Sequence, residues 1–306
     1  MAQNVPKNAL DHLILFLPAD PETNLPKIPS FISDNFTLTP GGTHADGLTS
    51  NTLILLSDGC YIELISFVPS APPDKISSHW WSYYAAHPGW ADWCLTNTLS
   101  PTANHAPIRA SHQAPLHGSR QRPDGTTVKW AVTFPQGPHG GQSTRGLVPF
   151  FCHDVTPRTV RVPLSEERTT HPSGVLGVHS LSVLVKDEAV CNARVTLTAC
   201  LRHWEQQKET FRTVLTDLEH ADTTHACFGA QRVVDVPELG DKDRGTTVKL
   251  IVASREGERE KVNKGGRDFW YGDVVLKAKA REGKEKGTKE RLDVGQDLRG
   301  LWIVYT

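Results

Sequence analysis

Residues 10–69 carry the feature that most limits the fold: apolar runs too short for core helices, separated by turn residues. Leu10–Leu17 is a run of strand length. Pro21–Phe36 follows, with Leu25, Ile28, Phe31 and Ile32 at helical spacing. Pro26 and Pro29 confine regular helix to its later part. After Gly41-Gly42 come Asn51–Leu56 and Cys60–Phe67, joined by the hairpin signal Ser57-Asp58-Gly59. The order is strand, helix, short strand, strand, strand, which makes residues 9–69 one βαβββ module.

A similar order returns over residues 89–156. Trp90–Thr98 is strand-like, and 101–117 is loop-rich where the first unit has its helix, so this module reads as helix-eroded. Thr127–Phe134 alternates, with Val128, Trp130, Val132 and Phe134 on one face, and Leu147–Val155 closes the unit. Residues 70–88 form a connector in which Trp80-Trp81 and Tyr83-Tyr84 read as packing residues. Residues 157–174, with Pro157, Pro163 and Pro172, read as a surface linker. In 175–306, Gly177–Val185, Gln231–Val236, Thr246–Ala253 and Gly272–Ala280 suggest strands, and Ala189–Leu218 a helix. Arg255–Lys264 and Lys277–Arg291 mix both charges and read as solvated insertions. These segments read as α+β, two similar strand-rich units followed by a C-terminal α/β elaboration.

Lys+Arg at 33 against Asp+Glu at 34 leaves a net charge of −1, so no basic excess argues for nucleic acid. No apolar run reaches the about 18–20 residues of a membrane helix, and the opening residues lack a secretory signal pattern. None of the six cysteines forms C-x-x-C, and Cys94 and Cys152 lie in apolar runs; reduced thiols in a cytoplasmic protein are the expectation. G-x-S-x-G, Walker, Rossmann and H-E-x-x-H patterns are absent.

Asp11-His12-Leu13, Gly41-Gly42-Thr43-His44, Thr49-Ser50-Asn51 and Asp58-Gly59-Cys60-Tyr61-Ile62-Glu63 occur in that order. Gly118-Ser119-Arg120, Arg122-Pro123-Asp124-Gly125, Trp130 and Leu147-Val148-Pro149-Phe150-Phe151 follow. Over roughly residues 9–175 this series resembles the glyoxalase-like proteins of the vicinal oxygen chelate superfamily; the C-terminal part resembles them less closely. The resemblance implies an α+β fold of paired βαβββ modules curled around a cupped cavity, with the first and last strands of each pointing side chains inward. It implies a small-molecule substrate and a lyase, isomerase or dioxygenase, often with a divalent metal. Metal-free members that only sequester a ligand and a metal-free acid–base enzyme are the alternatives. The cup can close within one chain or between two, which allows a homodimer.

On that pattern His12 and Glu63 take the inward positions of module one, as catalytic groups or metal ligands. His12 shares a face with Leu10, Ile14 and Phe16 if the strand is regular. A carboxylate amid Tyr61, Ile65 and Phe67 needs a partner, because burying it alone is costly. His153 stands roughly where Glu63 does, in Cys152-His153-Asp154 rather than the family's Asp-aromatic pair. His12, Glu63 and His153 would suit Zn, Fe or Mn. His44 follows a Gly-Gly turn and would move a proton, with Asn51 orienting it or capping the loop. Arg120 and Arg122, two apart, would hold an anionic oxygen, and Trp130 would line the cavity wall.

Overall fold

The computed structural model describes residues 8–122, 124–203, 224–240, 245–264, 266–295 and 300–306. Among these, eight strands form the first sheet: β1 (Ala9–Phe16), β2 (Thr39–Thr43), β3 (Thr49–Leu55), β4 (Tyr61–Phe67), β5 (Gly89–Thr96), β6 (Leu116–Gln121), β7 (Thr127–Thr133) and β8 (Phe150–Asp154). Their order is β2-β3-β4-β1-β5-β8-β7-β6. Each module lays its first strand parallel to its last, β1 on β4 and β5 on β8, and the two first strands pair antiparallel at the centre. The outer edges meet: Ala45 N–H donates to Ser119 O at 3.1 Å, and His44 bridges Arg120. The sheet thus closes on itself around its inner face.

Strand alternation assigns the two faces. Ile14, Phe16, Ile65, Cys94, Phe150 and Cys152 form an inner cluster. Leu13, Leu15, Leu64, Trp93, Leu95 and Phe151 point outward into a core shared with the second sheet. A register shift between Leu10 and His12 puts Leu10 in that outer core, whereas a regular strand would keep it beside His12.

The second sheet contains β9 (Val175–Val185), β10 (Arg202–His203), β11 (Thr224–Ala230), β12 (Thr246–Val252), β13 (Phe269–Ala278), β14 (Lys289–Arg291) and β15 (Leu301–Tyr305). Its order, β10-β11-β12-β9-β13-β15-β14, repeats that of the first sheet with one strand fewer. β9 runs parallel to β12 and antiparallel to β13, as β1 does to β4 and β5. The C-terminal part therefore repeats the strand order of a pair of modules. The third strand sits at Thr224–Ala230, not Gln231–Val236, which is loop beyond a single bridge at Gln231. Asp187–Cys200 is helical; the expected continuation through 204–218 lies outside the described residues. The charged stretch from 256 is a helix, Glu256–Lys264, that buries Val262.

Two further segments differ from the sequence reading. Module two keeps a helix, Pro101–Ile108, started by Ser100 accepting from Ala103 N–H and by proline in the first turn. Module one has only Ser30–Ser33. The stretch read as a linker holds Arg158–Arg161, a helical turn whose two arginines dock on β1. All six cysteines are free thiols, and no described helix is long and apolar enough to cross a membrane.

Burial fixes several histidines as neutral parts of this framework. His171 shows why: its Nδ1 accepts Thr37 N–H at 3.1 Å, so its Nε2 donates to Leu55 O at 3.0 Å. Burial pushes His79, His112, His171 and His179 down to about 4. Between that value and the unfolded imidazole at about 6.5, unfolding takes up protons. Each contribution is complete above about 6.5 and is lost as pH falls, at about 1.4 kcal/mol per pH unit per proton. Asp58, which burial raises to about 6, has the opposite sign in the same window and offsets one of the four. The expected result is a urea midpoint that falls steadily from pH 7 to pH 4.5; a flat or rising midpoint would contradict this assignment.

Candidate functional site

A cavity of about 510 Å³ occupies the inside of the first sheet. His12, Glu63, His44, Asn51, Arg120 and Trp130 all line it. At its floor Glu63 lies between two imidazoles. His12 Nε2 is 3.8 Å from Oε2, and His44 Nε2 is 3.7 Å from Oε1. Asn51 Nδ2 donates to Oε1 at 2.6 Å, and Asn51 Oδ1 accepts Gly42 N–H at 3.0 Å. Asn51 therefore fixes the carboxylate's orientation and leaves Oε2 toward the cavity side of His12.

His12 is held from behind by Asp11, whose Oδ2 is 3.0 Å from Nδ1. Burial raises the Asp11 carboxyl, but Arg158 and Arg161 outweigh it and keep the group well below the usual carboxylate range. An ionised carboxylate only accepts, so His12 donates its Nδ1–H and presents Nε2 to Glu63. His44 Nδ1 lies 2.7 Å from Thr49 Oγ1. Burial lowers its pKa from the ordinary 6.5, which keeps it neutral at pH 7. Arg120 is buried and donates one N–H to Gly41 O at 2.9 Å.

Two expected site residues are elsewhere. His153 follows the parity of Phe151, its ring parallel to that of Phe151 within 3°, on the face opposite Cys152. The one-residue offset in β8 turns it away from His12 and Glu63. Arg122 lies past the end of β6, pairs with the exposed Asp124 at 3.2 Å and does not line the cavity. Conversely, Trp80 and Trp81, read as packing residues, are cavity wall. Asp11 stands in the sequence series only beside His12, and no local pattern marks Arg158 and Arg161 as its partners.

Whether the cup suits a metal is decided by its donors. Strand register gives the module-two counterparts: His12 pairs with Tyr61, two before Glu63, and Cys94 pairs with Phe150, two before Cys152, so Cys94 and Cys152 stand for His12 and Glu63, with Asp92 two residues before Cys94 on β5. Asp92 is taken by Arg145 Nε at 2.5 Å and Trp81 Nε1 at 3.1 Å. Among the described residues, one trio of donors clusters, Asp11, His12 and Cys94. Two guanidiniums occupy its carboxylate, and burial pushes the Cys94 thiol well up, with a hydrogen bond to Cys152 adding to that. His12, Glu63 and His44 all face the cavity, but among the described residues these three donors do not converge on one centre, and the set does not fit a resident metal.

The sequence model of the Glyoxalase-like domain family matches residues 10–198. The chain belongs to that family. No curated protein matches it in sequence. A hypothetical protein from Staphylococcus aureus, 12% identical, aligns over 98% of this chain and 99% of its own with a TM-score of 0.62, so the four-module architecture recurs there. Looser likenesses are a variant of 4-hydroxymandelate synthase from Streptomyces coelicolor and 2,2',3-trihydroxybiphenyl 1,2-dioxygenase from Sphingomonas wittichii. The first is 11% identical over 90% of this chain and 72% of that one, TM-score 0.47. The second is 9% identical over 98% and 90%, TM-score 0.45. This glyoxalase-like chain has the paired-module fold of the vicinal oxygen chelate superfamily.

Gly41 and Gly42, expected as a turn, lie instead inside β2 at a register shift against β3, and the lack of a side chain at Gly41 has a cause within the site. A Cβ on Gly41 would come within 1.9 Å of Asn51 Oδ1 and 2.4 Å of Asn51 O. Gly41→Ala is expected to expel the Asn51 side chain from Glu63 and cost about 1–3 kcal/mol by overpacking. Gly257→Ala, in the helix Glu256–Lys264 with open space around it, should be neutral or stabilising by up to about 1 kcal/mol. Urea unfolding of the two variants checks both values.

Proposed function

We propose that this chain is a glyoxalase-like enzyme that moves a proton on an oxygenated small molecule without a resident metal. One observation carries this reading: a carboxylate oriented by Asn51 between His12 and His44, at the floor of a cavity where these three donors do not converge on one metal centre. A carbon acid beside a carbonyl would lose its proton to Glu63 Oε2. The electron pair passes to the carbonyl oxygen, and Arg120 is the guanidinium lining the cavity that can hold the resulting oxyanion. Neutral His44 returns or relays the proton. Acid inactivation through His44 should begin below pH 6.5, because burial lowers that group.

The test is proton–deuterium exchange at C3 of 2-oxobutanoate in D₂O, followed by NMR, before and after dialysis against a chelator. Exchange that survives chelation supports the proposal. Exchange abolished by chelation and restored by Fe, Mn or Zn overturns its metal-free part. No exchange with this or other carbon acids overturns the reaction itself.

A further inference from the structure

The cavity is asymmetric in a way that acid–base chemistry alone does not require. From His12 a wall of rings leads outward: His12 to Phe150 at 5.3 Å, Phe150 to Phe134 at 5.5 Å, Phe134 to Trp80 at 4.8 Å between centroids. Trp80 ends that wall 38% exposed, with its ring reachable from the cavity mouth. It is nonetheless held in place, against His79 at 4.5 Å and under the Arg145 guanidinium at 5.9 Å. Beside the floor, Trp130 stands edge-on to His44 at 5.8 Å between centroids. Gly118 gives it room, since a Cβ there would come within 2.6 Å of the indole Nε1.

Charge limits the other end. Two arginines line the cavity, Arg120 and Arg161. Arg161 is spent on Asp11 at 2.8 Å and Asp154 at 2.5 Å. One guanidinium remains to meet an anion, enough for a carboxylate and poor for a phosphate dianion. The 510 Å³ volume falls in the range, about 300–1,000 Å³, that encloses drug-sized ligands rather than a bare four-carbon acid.

Resting on the acid–base reading of the floor, we infer that the substrate is a carbonyl compound with a single carboxylate-type charge and an aryl group on a short arm. Its charged end sits by Arg120, its acidic carbon by Glu63, and its ring along the wall that ends at Trp80.

The experiment compares 2-oxo-4-phenylbutanoate, 2-oxobutanoate and 2-phenylethyl phosphate by calorimetry on the full chain, with C3 exchange measured for the two acids. The aryl acid should bind at least tenfold tighter than 2-oxobutanoate and tighter than the phosphate. Trp80→Ala, a change at an exposed residue, should reduce the preference between the acids to under threefold. Arg120→Gln should weaken both acids at least tenfold. Equal affinity of the two acids, tighter binding of the phosphate, or a preference indifferent to Trp80→Ala overturns the inference. The two readings fail separately. Aryl-selective binding without Glu63-dependent exchange keeps the substrate class and removes the catalytic role. Glu63-dependent exchange equally fast for both acids keeps the chemistry and removes the aryl substrate.

Discussion

Replacing Glu63 with glutamine is expected to lower C3 exchange by about 10²–10⁴-fold while the protein folds and binds the keto acid with similar affinity. The size follows from losing the base outright, since an amide accepts no proton at neutral pH. The preserved fold follows from the surroundings. A glutamine oxygen can still accept from Asn51 Nδ2, and the amide nitrogen then replaces Oε2, facing His12 Nε2 across the present 3.8 Å. Removing a charge from a largely buried position should leave the urea midpoint unchanged or slightly raised. NMR exchange rates with calorimetric binding on the same sample separate the two effects. Exchange within tenfold of the parent would exclude Glu63 as the base and shift the role to His44. Binding lost together with exchange would instead make Glu63 a ligand-holding group.

Much of this site could be read in the sequence because strand parity is local information. Once Leu10–Leu17 and Cys60–Phe67 are strands, His12 and Glu63 fall on defined faces, and the Gly41-Gly42 pair marks the neighbourhood of His44 and Asn51. Parity also explains the failure at β8. Cys152 and His153 differ by one residue and therefore by one face, and only the pairing of Val132 with Cys152 and Ala131 with His153 decides between them. Contacts between distant segments were less accessible. Arg145 reaches Asp92 across 53 positions, and Arg161 reaches Asp11 across 150. Neither arginine has a local pattern that says where it goes. The repeat in the C-terminal sheet was obscured for a compositional reason: a helix as charged as Glu256–Lys264 and a strand as short as Lys289–Arg291 both look like solvated loop.

Those long-range contacts lead to the second large effect, at Asp11. Its carboxylate is fully buried and accepts from His12 Nδ1 at 3.0 Å, Arg158 Nη1 at 2.5 Å and Arg161 Nη1 at 2.8 Å. Asp11→Asn keeps the volume but removes the charge that answers two guanidiniums, and Arg161 is only 4% exposed. Breaking a buried pair in this way costs about 3–5 kcal/mol, because the partner stays buried and unpaired. Asp154, 3.3 Å from Arg158 and 2.5 Å from Arg161, can answer only part of that charge. The pH dependence has a definite sign. A carboxyl held below its unfolded value stabilises the fold above about pH 3.9, and that stabilisation is lost as pH falls toward the folded value. The gap between parent and variant in urea unfolding should therefore be constant from pH 5 to 8 and narrow below about pH 4. Adding Arg161→Met to Asp11→Asn should recover part of the loss, since the double variant no longer buries that unanswered cation. A loss under about 1 kcal/mol would place the cluster with solvated surface pairs. The fold would then hold His12 in place by packing on Tyr61, at 4.7 Å between ring centroids, and not by the arginines behind it.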